Sequence, residues 1–415
     1  MAVLHIFIKP KTIYDCTIFI CSLQFFLCCN GFWRRNGRYI MTKGSRIYTF
    51  VAPIVYVLGA AYTIYNKLTD PYQKERTFSL DSLLLSIIFS EIFMSSLVFF
   101  ISVFSLQYHS KRHLHIYERL QTIDEYFIKE FGANMNYHKL LRKVIVVMTL
   151  SSIVYLGAVL WATLQLSNND FILMFMGAMC YCLITGSINF NGYAHMNLAE
   201  IIKIRCRLLQ KILNREFIDY KFPESNLREL RLQRAVEIWK ELQQIIREIN
   251  RVYTLSLLFT LAHDFMLTTS ELYMVFGRTI AGQNTSYYLL SYVVMVMLPP
   301  LYKMIMAPIY CEETIKESTK CVRLIEQLNS WYPKSVKIRN LVETLMMWRL
   351  DNNVEFNCGF NLTIRRTIIT TVTSVVFNYL LILIQFRMTQ DMGDNMEQQK
   401  NLLREWANQG PDFLY

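Results

Sequence analysis

Apolar side chains collect in seven long runs along the 415-residue chain, and charged side chains collect between the runs. A helix rises 1.5 Å per residue, so about 20 apolar residues are enough to cross the hydrocarbon core of a bilayer. Each run is therefore predicted to be a membrane-spanning helix. The runs are residues 46–66, 79–106, 144–166, 171–196, 252–276, 287–310 and 367–386.

The connections between the runs are of two kinds. Residues 107–143, 197–251 and 311–366 are long, charged segments in which apolar residues recur at helical spacing. The remaining connections are short. This alternation predicts an all-α membrane protein with seven spanning helices, in which long helices continue beyond the membrane on one side only.

The two ends of the chain fit this plan less simply. The first 45 residues contain an apolar run at 13–29 that is interrupted by Asn30-Gly31. We expect an interfacial or re-entrant helix there, with a full span as the alternative. The tail, residues 387–415, is expected either to form a helix around 397–406 or to remain disordered.

Composition agrees with a membrane protein. The chain is 53% hydrophobic, and it has only 14 glycines and 9 prolines, which is typical of a helical protein that crosses the membrane several times. The net charge is +11, but the basic residues lie in the connections and do not form one patch with interleaved aromatics. We therefore expect a lipid bilayer as the surroundings and no nucleic acid as a partner.

The distribution of basic residues predicts the orientation. Of the 43 lysines and arginines, 35 lie in the N-terminal segment up to Arg46 and in the three long connections. The positive-inside rule then places the N-terminus and the long connections in the cytoplasm and the tail outside the cell. The sequon Asn284-Thr285-Ser286 falls in a predicted outer loop, so Asn284 is a candidate glycosylation site.

Five ionisable residues lie inside the predicted spans, where a charge is costly and usually faces the interior of the helix bundle. They have two interpretations, which the sequence leaves open. They could line a ligand cavity, or they could pair between helices and stabilise the fold, for example Lys303 with a carboxylate. The residues are Glu91, His263, Asp264, Glu271 and Lys303.

The candidate ligand pocket combines Glu271, in the outer half of the fifth span, with nearby aromatic residues. Tyr273 is two residues from Glu271, so the two side chains point to roughly opposite sides of the helix. A cavity would have to wrap around the fifth span to include both. The other candidates are Trp161, Phe190 and Tyr193.

No motif supports catalysis. The chain has no glycine-rich phosphate loop, no nucleophile elbow and no His-Glu-x-x-His zinc motif. His109 and His113 are spaced by one helical turn, but no cysteine or carboxylate completes a metal-ligand set with them. We therefore expect a protein that is not an enzyme and that has no cofactor and no metal site.

The last apolar run carries two amides, Asn378 and Gln385, spaced by seven residues. Seven residues correspond to about two helical turns, so both side chains lie on nearly the same face. An amide facing lipid would leave its donors and acceptors unpaired, at a cost of a few kcal/mol. This face is therefore predicted to meet protein or water.

The same run resembles the closing signature of insect gustatory receptors. Tyr379, the apolar residues 380–384, Gln385 and Phe386 match that signature in order and spacing, while Asn378 stands where the family usually has threonine. With seven spans and an inside N-terminus, the whole chain looks like a member of this family, with the bitter-type branch as the best match. The family is similar in fold to the insect odorant receptors.

The resemblance implies a subunit of a tetrameric channel, in which the last helix of each subunit lines a central cation pore. Gln385 and Phe386 would lie at the outer gate, with Ile382 and Tyr379 further inward on the same stripe. The cytoplasmic helices of 197–251 and 311–350 would anchor the subunits to one another. The pore would be opened by a small-molecule tastant, in the plasma membrane of gustatory receptor neurons, and other gustatory receptor subunits would be its partners.

Three other functions remain as alternatives. A metabotropic seven-helix receptor would have its N-terminus outside, and the Asp-Arg-Tyr and Asn-Pro-x-x-Tyr motifs typical of that class are missing. An odorant-receptor-like channel subunit would share the architecture. A secondary transporter would use Glu91, Asp264 and Lys303 as a coupling relay, but the halves of the chain show no internal symmetry.

Overall fold

The computed structural model describes residues 10–69, 82–133, 135–166, 171–280, 287–352, 354–359 and 362–408. Almost all of them are helical. The elements in chain order are α1 (Ile13–Phe26), β1 (Phe32–Arg35), β2 (Arg38–Met41), α2 (Lys43–Thr69), α3 (Ser82–Tyr108), α4 (Ser110–Phe131), α5 (Tyr137–Leu166), α6 (Phe171–Ile212), α7 (Arg215–Lys221), α8 (Ser225–Ile280), α9 (Tyr287–Trp331), α10 (Val336–Asp351) and α11 (Thr367–Asn408).

Every predicted span coincides with a helix over the residues that the structure describes. Six helices in that part of the chain, α2, α3, α5, α6, α9 and α11, are long and apolar enough to cross a membrane, judged by length and composition. The fifth predicted span, residues 252–276, forms the C-terminal half of α8, and this helix is not among the six. The structure therefore supports six apolar spans directly, with a seventh helix of more polar composition beside them.

The polar composition of α8 has a structural reason. Five consecutive residues, from Leu267 to Glu271, are each at most 4% exposed. Five residues cover more than one helical turn, so protein surrounds α8 on every side at this level. A helix in such a central position does not face lipid, and hydroxyl and carboxyl side chains can find protein partners there.

Three helices extend far beyond the length that a bilayer requires. Helices α6, α8 and α9 have 42, 56 and 45 residues, and α8 is about 84 Å long. A buried ion pair holds the extension of α6 to a neighbouring helix. Arg205 on α6 binds the carboxylate of Asp124 on α4, and the hydroxyl of Tyr137 on α5 donates to the same carboxylate at 2.6 Å.

The N-terminal segment packs on the helical bundle. Helix α1 has 14 residues and is about 21 Å long, which is shorter than a full crossing. Its N-terminus is closed by a reciprocal capping box between Thr12 and Asp15. Its buried face includes Gln24, whose side-chain amide donates to Asn191 on α6 at 3.3 Å.

A β-hairpin follows α1, and the apolar pattern does not predict it. Strands β1 and β2 pair antiparallel, with Arg35 opposite Arg38 across the turn. Asn36 and Gly37 both have positive φ, 51° and 79°. An Asn-Gly pair with this backbone is the characteristic two-residue turn of a hairpin. The signal was present in the sequence, but the strands are only four residues long.

The last helix does not end where its apolar run ends. Helix α11 continues through Phe386 without interruption to Asn408. Of the two expectations for the tail, a helix is therefore the one found, and it is longer than residues 397–406.

Candidate functional site

Helix α11 lies on the outside of the subunit. Only 11% of its apolar segment, Thr367–Thr389, is buried, whereas 28–39% is buried in the corresponding segments of the other five apolar helices. One narrow strip, with Val376 and Leu380 as its buried residues, faces the bundle. Most of the surface of this helix is thus free to meet lipid, water or another protein.

The predicted pore residues lie away from that strip. Consecutive residues on a helix are about 100° apart, so Asn378, Ile382 and Gln385 lie roughly opposite Leu380. All three side chains are exposed, and Ile382 is 58% exposed. The amide-bearing face predicted from the sequence is therefore an outer surface of the single subunit.

The two aromatic residues of the signature lie on the flank of α11. Tyr379 and Phe386 are 51% and 59% exposed, and they are separated by two helical turns. The ring of Tyr379 also packs edge-on against Phe265 of α8, with 6.0 Å between ring centroids. These two side chains border the amide face and do not lie at its centre.

The segment before α11 is tied to two of the long helices. The side chain of Asn250 on α8 donates to the carbonyl of Glu355 at 2.6 Å, and it accepts from the backbone amide of Asn357 at 3.2 Å. At the start of α11, the backbone amide of Arg366 donates to Glu312 of α9 at 3.0 Å. Its guanidinium lies 3.4 Å from Glu313. These contacts connect α8 and α9 to the base of α11.

No role for these contacts follows from the sequence alone. Only part of the network had a recognisable signal. Two adjacent carboxylates, Glu312 and Glu313, close one span, and two adjacent arginines, Arg365 and Arg366, precede the next. Asn250 is an isolated polar residue in a long charged helix, and nothing in its surroundings distinguishes it.

Two of the five ionisable residues in the predicted spans, Asp264 and Lys303, form an ion pair between α8 and α9. The ammonium of Lys303 lies 2.8 Å and 2.9 Å from the two carboxylate oxygens of Asp264. The two side chains are 4% and 1% exposed. Gly192 of α6 lies against the stem of Lys303, and a Cβ at that position would be 2.2 Å from the lysine Cδ. The glycine thus makes room for the lysine.

Two further polar contacts surround this ion pair. His263 Nε2 is 2.9 Å from the hydroxyl of Ser95 on α3, and its Nδ1 is 3.5 Å from Asp264. One turn further along α3, Glu91 accepts a hydrogen bond from the Tyr181 hydroxyl at 2.7 Å. Three predicted intramembrane residues, Glu91, Asp264 and Lys303, therefore all have partners on other helices.

Two of the candidate pocket residues lie at the level of this ion pair. Phe190 and Tyr193 of α6 are buried and pack edge to face, with ring centroids 5.7 Å apart. The Tyr193 hydroxyl donates to the carbonyl of Pro299 at 3.1 Å, and its ring packs on Tyr302. Tyr193 also borders a cavity of about 40 Å³, which has room for about one water molecule.

The other pocket candidates lie at a second level along the helices. Glu271 and Tyr273 are seven and nine residues beyond Asp264 on α8, which is about 10 Å or more along the helix. They are 3% and 1% exposed, although they point to roughly opposite sides. Trp161 on α5 is half-buried, six residues beyond Tyr155, whose ring packs on Phe190. The candidates therefore fall into two levels.

A second buried polar group lies outside the spans, at the base of the bundle. His113 of α4 is fully buried, and its Nε2 is 3.0 Å from the Tyr253 hydroxyl on α8. Burial lowers the pKa of the His113 imidazole to about 3, so the ring is neutral at physiological pH. A neutral histidine buried beside Tyr253 and Phe32 is a packing residue.

Two further expectations concern modification and metals. Asn284 lies outside the described residues. Within the ranges that the structure describes, no group of three or more histidine, cysteine, aspartate or glutamate side chains could hold a metal ion.

Comparison with known proteins places this geometry in a family. The family profile described as 7tm chemosensory receptor matches residues 16–390. The Drosophila melanogaster protein named "Putative gustatory receptor 57a" is 44% identical over 413 residues, which are 98% of this chain and 99% of the relative. "Putative gustatory receptor 47b" of the same species is 23% identical over 335 residues, 79% of each chain.

The fold is also found in solved structures. The insect olfactory receptor OR5 from Machilis hrabei matches with a TM-score of 0.57 at 10% sequence identity, over 89% of this chain and 98% of that one. The same receptor in complex with eugenol matches with a TM-score of 0.56. The matches in sequence cover nearly the whole chain, and the fold is that of an insect chemosensory receptor. The protein is therefore a multi-pass membrane protein that belongs to the insect gustatory receptor family.

Proposed function

We propose that this chain is one subunit of a tetrameric, ligand-gated, non-selective cation channel that detects non-volatile tastants of the bitter type. The observation that carries the proposal is the exposed amide face of α11. A helix with Asn378, Ile382 and Gln385 on its outer surface would leave polar groups unpaired in lipid. Four such helices around an axis would give those amides water and one another.

The gate follows from the chemistry of this face. An apolar ring of Ile382 side chains excludes water when the four helices stand close together, and a dry constriction stops ions. Rotation or separation of the helices brings the amides of Gln385 into the lumen, where hydrated cations can pass. Phe386 and Tyr379, on the flank of the face, would then pack against the neighbouring subunit and control the helix spacing.

The ligand site is proposed at the outer level, around Glu271, Tyr273 and Trp161. A cavity that wraps around α8 at this level would offer a small organic molecule both aromatic surface and one carboxyl group. Phe190 and Tyr193, at the inner level, would form its floor. The similarity to a receptor whose structure was solved in complex with eugenol, a small phenol, supports a ligand of this size class. Binding here would bear on α8, which holds Asn250 and through it the segment before α11.

The pore assignment is tested by cysteine accessibility. The receptor is expressed in cells together with candidate partner subunits and stimulated with a panel of bitter alkaloids and plant phenols. An external cationic thiosulfonate is expected to react with the variants Asn378→Cys, Ile382→Cys and Gln385→Cys. Modification of a pore-lining thiol should reduce the evoked current by roughly half or more. Leu380→Cys, on the buried strip of the same helix, is the matched control and should not respond.

The reagent should react little with the native cysteines, because all ten are buried or half-buried. Modification of Leu380→Cys with the same effect as Gln385→Cys would contradict a pore on the amide face. So would currents that are unaffected in all three variants and unchanged by Gln385→Ala and Phe386→Ala.

The proposed orientation has the N-terminus in the cytoplasm, the C-terminus outside and the protein in the dendritic plasma membrane of gustatory neurons. It rests on the 35 lysines and arginines of the N-terminal segment and long connections. An epitope at the C-terminus should stain on intact cells, and the same epitope at the N-terminus should stain only after permeabilisation. The reverse pattern would instead favour a metabotropic receptor.

A further inference from the structure

A basic cavity lies at one end of α2, away from α11 and from the candidate ligand pocket. It has a volume of about 550 Å³ and lies between strand β2, the first turns of α2 and the start of α4. Small-molecule sites in proteins fall in the range of roughly 300–1,000 Å³. Its charged wall is formed by Lys43, Arg46 and Lys111, and its apolar wall includes Ile40, Met41 and Leu114.

The positive charge of the cavity is not balanced by the protein. Lys43, Arg46 and Lys111 are exposed, and no salt bridge among the described residues includes any of them. The one carboxylate in the wall, Glu118, lies 3.2 Å from His115 Nδ1. Three cations thus face one space with a single acid that already has a partner.

The end of α2 adds to this potential. Lys43 is the first residue of the helix, so the positive end of the helix dipole lies beside the cavity. Thr42 and Ser45 cap this end reciprocally, at 3.0 Å and 3.1 Å between amide nitrogen and hydroxyl oxygen. The helix start is therefore well ordered, and it favours a negatively charged group.

The position of the cavity matches the headgroup layer of a membrane. The apolar span of α2 begins at Lys43 itself, and that of α3 ends at Tyr108, three residues before Lys111. Trp33, 43% exposed, lies opposite Ile40 across the hairpin, and tryptophan is enriched at membrane–water interfaces. Cations and an interfacial aromatic residue at this depth are what a bound lipid headgroup requires.

We propose that this cavity binds the headgroup of an anionic phospholipid that carries more than one phosphate, that is, a phosphoinositide. Three cations and a helix N-terminus would be poorly matched by a lipid with a single negative charge. The apolar wall of Ile40, Met41 and Leu114 suits the glycerol backbone and the first part of the acyl chains. The lipid would link the hairpin, α2 and α4, three elements that otherwise meet at this open space.

The binding itself depends only on α2 and α3 entering the bilayer, and not on the pore or the ligand site. In cells, the proposed orientation would place the cavity at the inner leaflet, where such lipids occur. Lipid binding at this cavity could therefore hold even if the chain does not form a channel. Likewise, the chain could form a channel even if the cavity binds no lipid.

The test uses the purified full-length protein in detergent and a fluorescent short-chain phosphatidylinositol bisphosphate, with binding followed by fluorescence anisotropy. The variant Lys43→Gln/Arg46→Gln/Lys111→Gln should bind at least roughly tenfold more weakly than the wild type. The matched control Lys139→Gln/Arg142→Gln/Lys334→Gln removes three exposed charges elsewhere and should stay within roughly threefold of the wild type. Binding should also weaken as salt is raised.

Three competitors identify the source of the binding. Unlabelled phosphatidylinositol bisphosphate should displace the probe, phosphatidylserine should displace it less well, and phosphatidylcholine should not. Displacement by soluble inositol trisphosphate as efficient as by the lipid would overturn the assignment to a membrane lipid. An equal loss of binding in the control variant, or equal displacement by phosphatidylcholine, would overturn the site.

Two observations distinguish a loss of lipid binding from a loss of folding. The three side chains are exposed, so the triple variant should melt at the same temperature as the wild type. The single reversal Lys111→Glu, on α4, should weaken binding without touching the start of α2. Unchanged binding by both variants would contradict the proposal.

Discussion

Replacement of Arg205 by methionine is expected to leave little folded receptor. Arg205 and Asp124 are 1% and 0% exposed, and the guanidinium also donates to the carbonyl of Ile201 at 2.8 Å. Removing the arginine leaves a carboxylate in the interior with only the Tyr137 hydroxyl as a partner, which costs about 3–5 kcal/mol. Because folded proteins are stable by only about 5–15 kcal/mol, the melting temperature should fall by about 10 °C or more.

The pKa of Asp124 also indicates that Arg205 stabilises the charged carboxylate. Burial raises the pKa of this carboxyl, and the positive charge of Arg205 opposes that rise. Without Arg205, only burial and nearby groups remain, so Asp124 would take up a proton at higher pH. The single variant should therefore be less unstable at acidic pH than at neutral pH, because protonation removes the buried charge.

The measurement is size-exclusion chromatography of the detergent-solubilised protein after heating, with the monodisperse fraction as the readout. Asp124→Leu/Arg205→Met should recover much of the loss, since a buried ion pair can often be replaced by apolar side chains. The partly exposed pair Arg234–Glu237 provides a control, and Glu237→Gln should change stability by less than about 1 kcal/mol. A double variant less stable than Arg205→Met would show that the pair itself is required.

Replacement of Lys303 by methionine should have an effect of similar size within the membrane. Asp264 would then lose its ion pair and keep the imidazole of His263, at 3.5 Å, as a polar neighbour. An uncompensated carboxylate between spanning helices is strongly unfavourable, so we expect the receptor to be retained inside the cell. Surface biotinylation of a tagged receptor measures this directly.

The same experiment separates a structural from a functional role for the ion pair. The neutral double variant Asp264→Asn/Lys303→Met should restore surface expression and a tastant-evoked current per surface receptor close to that of the wild type. Normal surface levels of Lys303→Met with no evoked current would contradict the structural role. That result would instead favour the polar-lining or transport-relay alternatives for these residues.

Gly192 makes room for the ion pair between Asp264 and Lys303. The glycine lies against the stem of Lys303. A Cβ at position 192 would lie only 2.2 Å from the lysine Cδ. The lysine can reach Asp264 only because α6 approaches α9 closely at this point. A residue that looks like a helix breaker in the sequence is thus a packing residue between helices.

Much of the architecture could be derived from local properties of the chain. The length of each apolar run is set by the thickness of the bilayer, so the seven helices could be found without knowledge of their neighbours. The spacing of Asn378 and Gln385 is likewise a property of one helix, and both side chains lie on its exposed surface. These features depend on residues that are close in sequence.

The partners of buried polar residues could not be derived in the same way. Lys303 could have paired with Glu91, Asp264 or Glu271, since all three lie within membrane helices. Only the packing of α8 against α9 selects Asp264. The burial of Glu271 and Tyr273 likewise depends on helix packing. Both side chains are buried although they point to opposite sides, because α8 is surrounded by other helices.

The sequence by itself determined the class of protein, the positions of its apolar runs and the signature of the last helix, because hydrophobicity and helical periodicity act over a few turns. The tertiary structure alone decided which charges pair, which of the seven helices is central, and how Asn250 and Glu312 hold the base of α11. It also created the basic cavity, whose cations come from the start of α2 and the start of α4. Such contacts join residues far apart in the chain, and only the folded arrangement of the helices brings them together.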